Sequence, residues 1–94
     1  PSAVWPEVVA LAGGAGALAE RARAHLAQGD AEKALHLVEM AVVAAPDDRG
    51  VRETELAVYE ALADLTEGRV FDELGWLESS IIATRRALDA GTGA

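Results

Sequence analysis

Apolar residues recur along this chain every three to four positions, and glycine, aspartate or proline interrupts each run. That period stacks side chains on one face of an α-helix. Pro6 suits the first turn of a helix, where its missing N–H is not needed, and a short helix over about 6–12 runs through Val8, Val9 and Leu11. Gly13-Gly14 stops it, because glycine readily takes the left-handed conformation of a C-terminal cap. Leu18, Ala22 and Leu26 lie on one face of a second helix over about 15–28, with Glu20, Arg21, Arg23 and Gln28 mainly elsewhere, and Gly29 closes it. Asp30 can cap a third helix over about 31–45, its carboxylate accepting free N–H groups of the first turn. Ala34, Leu37, Val38, Ala41 and Ala45 form the inner stripe of that helix, and Pro46 ends it by disfavouring the helical conformation at Ala45.

Asp47 or Asp48 caps a fourth helix over about 48–66, with Val51, Val58, Leu62 and Leu65 in one stripe, Leu56, Tyr59 and Ala63 beside it, and Gly68 as its stop. A fifth helix over about 70–89 carries Val70, Leu74, Leu77, Ile81 and Leu88 on one face. No run alternates with period two, so no strand is expected. Within 29–46, GDAEKALHLVEMAVVAAP spaces a helix-ending glycine, two small contact residues (Ala34 and Ala41) and a helix-stopping proline as a tetratricopeptide-type hairpin does. The pattern therefore predicts an all-α, tetratricopeptide-like array of four to five antiparallel helices.

The fifth helix has more apolar sides than one core needs. Phe71 and Ile82 occupy a second sector, and Trp76, Ser80, Ala83 and Ala87 a third. A helix apolar around most of its girth is either central in its own domain or buried against another chain. Each large side chain left in water forgoes about 1.5–3 kcal/mol, so several of them can drive association. Phe71, Leu74, Trp76, Leu77, Ile81 and Ile82 are the candidate interface residues, with some of them serving the internal core. Tryptophan is enriched at interface hot spots, which singles out Trp76 beside Gly75.

Length and charge narrow the picture. The 94 residues make a single domain, 1–94, and although 51% are hydrophobic, 21 are alanine, so the larger side chains must supply most of the core volume. The formal charge of −8 opposes nucleic-acid binding, which needs a basic stripe to displace counterions, and a basic membrane-surface helix. The acid reads as a solvated face that keeps the chain soluble, with an acidic docking surface as the alternative. With no cysteine there is no disulfide and no thiolate ligand, and the compartment stays open. No apolar run approaches the ~20 residues of a membrane span. The opening on Pro1 rather than methionine reads equally as the mark of an excised or processed piece or as an artefact of how the chain was cut.

No residue cluster carries chemistry. His25 and His36 have neither His-x-His nor His-Glu-x-x-His spacing, and a zinc site wants three or four ligands. Asp47-Asp48 and Asp72-Glu73 at helix starts, and Arg85-Arg86 near a helix end, complement the helix dipole, with an inter-subunit ion pair as the alternative for the two arginines. Gly13-Gly14-Ala15-Gly16 lacks the Gly-Lys-Ser/Thr and preceding strand of a phosphate loop. Ser79 and Ser80 have no histidine placed as a base. No catalytic, cofactor-binding or metal-binding residue is assigned.

Four segments in order resemble the alkyl sulfatase dimerisation domain, the helical segment that follows a metallo-β-lactamase-fold catalytic domain. They are LAGG at 11–14, ALAERARAHLAQGD at 17–30, ALHLVEMAVVAAPDD at 34–48 and FDELGWLES at 71–79. The resemblance implies a non-catalytic helical module that pairs two protomers and helps wall off the entrance to a zinc-dependent hydrolytic site. It implies a homodimer, with the zinc and its His-x-His-x-Asp-His motif on a catalytic domain of the parent chain; nothing here matches that motif. Ala31-Glu32-Lys33-Ala34 and Thr66-Glu67-Gly68-Arg69-Val70-Phe71 stand where alkyl sulfatases proper tend to be aromatic, which implies a related hydrolase with another substrate. The alternative is a stand-alone scaffold binding a peptide or protein partner in a helical groove. A single hairpin argues against it, since about three repeats are needed for such a groove.

Overall fold

Glycine and aspartate decide where the helices break. The computed structural model describes residues 5–66 and 75–91, and these hold five helices: α1 (Trp5–Ala12), α2 (Ala15–Ala27), α3 (Ala31–Ala44), α4 (Arg49–Thr66) and α5 (Trp76–Asp89). No strand occurs among the described residues. Helices α1 and α2 end in the same device. The Gly14 N–H bonds the Val9 carbonyl at 2.8 Å and that of Gly13 the Ala10 carbonyl at 3.1 Å. One helix later the Asp30 N–H bonds His25 at 2.9 Å and that of Gly29 bonds Leu26 at 3.0 Å. This paired closure satisfies carbonyls that a helix end leaves free, and it needs a left-handed residue, which Gly29 supplies at φ +83°.

The next helices start on carboxylates. Asp30 Oδ1 accepts the Lys33 N–H at 3.2 Å, and Asp48 Oδ1 accepts the Val51 N–H at 3.0 Å. Of the two adjacent aspartates, Asp48 is therefore the cap of α4. Between them Ala45 leaves the helical region before Pro46, as the proline ring requires.

Helix α2 packs antiparallel on α3, and α4 lies across both, while α1 covers one end of that pair and α5 runs along α4. Ala22, Ala31 and Ala34 are buried where α2 meets α3, and their small size lets the two backbones approach. One core cluster joins those alanines to Val38, Val58, Leu62 and Leu77; a second joins Val9, Leu18, Ala19, Ala41 and Val51. Leu37 packs against both clusters.

Two features depart from the apolar pattern. The fifth helix does not run continuously from residue 70: Gly75 stands in the left-handed region at φ +69° and α5 starts at Trp76. Residues 70–74, with the candidates Phe71 and Leu74, lie outside the described residues, as do Gly68 and the 92–94 tail. The interior also holds polar side chains that an apolar stripe cannot reveal, namely Thr54, Glu55 and Thr84. All three occupy inward helical positions between the apolar residues of α4 and α5.

The capping geometry separates two otherwise equivalent residues. Asp48→Ala is expected to lower unfolding free energy by about 1 kcal/mol, while Asp47→Ala stays within about 0.5 kcal/mol. Urea denaturation of the two variants checks it.

Candidate functional site

The candidate interface residues depend on how α5 is seated on α4. Leu77, Thr84 and Leu88 are the buried residues of α5. Leu77 is only 2% exposed and belongs to the first core cluster. Trp76 and Ile81 are half-buried and pack against that cluster. Of the four candidates among the described residues, Ile82 is the one turned to solvent, at 44% exposure. Its surroundings on the outer side of α5 are Glu78, Ser79, Ala83 and Arg86, all exposed. Toward α4 the described part of the helix is thus apolar except for Thr84, and on its outer face it is mixed, rather than apolar all round.

A buried carboxylate holds the seat. Glu55 is 5% exposed, and its Oε1 accepts Arg52 Nη1 at 2.9 Å and Thr84 Oγ1 at 3.2 Å. Its Oε2 accepts the Tyr59 hydroxyl at 3.3 Å. Arg52 is itself oriented by a 2.8 Å bond from Nε to the Pro46 carbonyl. A carboxylate removed from water is tolerated only when paired and hydrogen-bonded, and here three donors from two helices meet that need. Above this network the Tyr59 and Trp76 rings meet edge to face, with centroids 6.2 Å apart at 83°. Below it, Arg49 Nη1 donates to the Leu88 carbonyl at 3.0 Å, capping the end of α5. Arg85 pairs with Glu60 on the exposed flank. The contacts run from Trp76 against Tyr59 to Leu88 against Arg49, so α5 is antiparallel to α4.

Burial, reinforced by the adjacent Glu55 carboxylate, pushes the Tyr59 phenol up to about 12. Tyr59 and Glu55 are bonded to each other along α4, and Thr84 and Trp76 of α5 tie that pair to the neighbouring helix.

The remaining polar features do not gather into a site among the described residues. His36 is exposed, and the buried Nδ1 of His25 has no hydrogen-bond partner. No group of three or more metal-ligating side chains gathers among the described residues. A shallow hollow of about 140 Å³ lies between α2 and the start of α4, lined by Gly16, Ala19, Glu20, Arg23, Asp48 and Thr54. The Thr54 hydroxyl there donates to the Gly50 carbonyl at 2.9 Å, the ordinary back-bond of a helical threonine. No helix among the described residues is long and apolar enough to cross a membrane.

With the helical array in view, a protein-family model described as alkyl sulfatase dimerisation matches residues 1–74. The chain belongs to that family. The alkyl sulfatase dimerisation match spans α1 to α4 and ends one residue before Gly75, so α5 follows the matched stretch. No curated protein and no solved structure matches the chain.

A count of apolar positions passes over Glu55 and Thr84, yet the sequence holds a signal for Glu55. Val51 and Val58 are seven apart, and positions 54 and 55 lie on the same helical face between them. A polar residue there must find a partner or be expelled.

Two outcomes follow from the seating of α5. Leu77→Asp places an unpaired charge in the first cluster, so it should unfold the chain rather than release a folded monomer; circular dichroism distinguishes these. Tyr59 is the chain's sole tyrosine, so phenolate absorbance reports it alone. Its ionisation should be centred near pH 12 in the folded chain, against 10.0 for the unfolded chain. The stability this contributes is complete below pH about 10 and is lost as pH rises toward about 12. Tyr59→Phe should remove that part of the alkaline slope in thermal melts.

Proposed function

We propose that this chain is a non-catalytic module through which two protomers of an alkyl sulfatase-like hydrolase pair. The family match over residues 1–74 carries the reading. In this proposal the parent protein supplies a metallo-β-lactamase-fold catalytic domain with its zinc, and the helical module helps cover the catalytic entrance. The departures from the aromatic pattern at 31–34 and 66–71 support a parent substrate different from that of alkyl sulfatases proper. The pairing surface is proposed to include Ile82 and the exposed parts of Trp76 and Ile81, together with Phe71 and Leu74, while Leu77 contributes from within by fixing α5.

Solution mass is the direct test. Light scattering over a concentration series should give about twice the 9.8 kDa of the chain, persisting into the low micromolar range. A mass that stays at 9.8 kDa throughout would sink autonomous pairing.

A further inference from the structure

We infer that two copies of this chain meet through the outer face of α5, packed antiparallel across a two-fold axis at Ile82. This deepens the self-association proposed above and rests on it. Among the described helices α5 adjoins α4 alone, and Leu77, Thr84 and Leu88 are buried on that side, which leaves the opposite face open. Glu78, Ile82 and Arg86 stand on that face at intervals of four residues, all exposed. Glu78 and Arg86 have no ion-pair partner among the described residues. They cannot pair with each other, because eight residues of helix separate them by about 12 Å.

A two-fold contact is self-complementary: whatever residue i touches on the second copy, that residue's counterpart touches i in return. An antiparallel pair centred on Ile82 sets Ile82 on its own counterpart. The same operation sets Glu78 against Arg86 of the second copy and Arg86 against Glu78 of the second copy. Both charges gain an opposite partner at once, on either side of an apolar centre. Exposed Ser79 and Ala83 are small and let the helices approach.

The other exposed large apolar side chains among the described residues fail this symmetry. Leu11, at 89% exposure, has Glu7 four residues before it and Ala15 four residues after, so no opposite charge is available. Val43, at 57%, lies between Glu39 and Asp47, and the same pairing there would oppose acid to acid. Of these three, Ile82 is the one flanked by charges of opposite sign.

The test is a charge swap on the full chain, read as the dimer dissociation constant by sedimentation or light scattering. Glu78→Arg and Arg86→Glu should each raise it about tenfold, since the two-fold axis makes each substitution break two ion pairs and oppose like charges. The double variant, with both charges exchanged, should return to within about threefold of the starting value, because the pairs re-form with reversed sign. Ile82→Glu, which leaves both charges in place, should also raise the constant about tenfold by removing the apolar centre. Circular dichroism keeps loss of pairing apart from loss of fold. A dimer that survives all of these substitutions unchanged would overturn the α5 contact while leaving self-association standing. A wild-type chain that is monomeric at every concentration would overturn both.

Discussion

A carboxylate almost cut off from water governs how the second half of this chain is arranged. Glu55 sits where α4 faces α5, and its two oxygens must be satisfied from within the protein. Burying such a group unpaired costs several kcal/mol, a large fraction of what a domain of this size has to spare. Arg52 and Tyr59 come from its own helix, but Thr84 comes from 29 residues away. The network therefore specifies where along α4 the last helix docks. A slip of α5 by one turn would carry Thr84 off the carboxylate and Leu77 out of the core together.

Apolar packing alone would specify this less sharply. Five of the side chains in the two core clusters are alanine, and alanine buries little and distinguishes poorly between neighbouring registers. Its value lies elsewhere, in letting α2 and α3 come close enough for Val38 and Leu18 to be fully enclosed. Helix α4 then packs across that pair, with one face on α2 and α3 and another holding α5. Shape supplies the first half of the array and polar pairing locks the second.

The sequence was most legible where backbone chemistry is local. Gly13-Gly14 and Gly29-Asp30 announce a left-handed closure and a carboxylate cap, and the helices break there. Pro46 is as clear. What failed to show required a third dimension. Asp47 and Asp48 offer the same chemistry, and only the reach to Val51 tells them apart. The apolar spacing of the last helix passes through Gly75 without interruption, because a missing side chain neither supports nor breaks a period. Thr84 carries no apolar signal of its own, and only the packing of α5 on α4 brings it to Glu55. Leu77 and Ile82 are equally apolar in the sequence, and only the position of α4 decides that one is enclosed and the other exposed. The family pattern was readable because its glycines, small residues and proline are the very positions that set the helix breaks and close contacts.

Leu37 touches both core clusters, and this bears on how the protein comes apart. Two clusters sealed from each other could melt separately, giving the chain a half-folded state with one end intact. A side chain shared between them makes opening either cluster strip contacts from the other. The centre of α3 is then the last region to exchange its amide hydrogens with solvent, and α2, α3 and α4 breathe as one cooperative unit. The platform on which α5 rests would in that case be lost only with the whole fold.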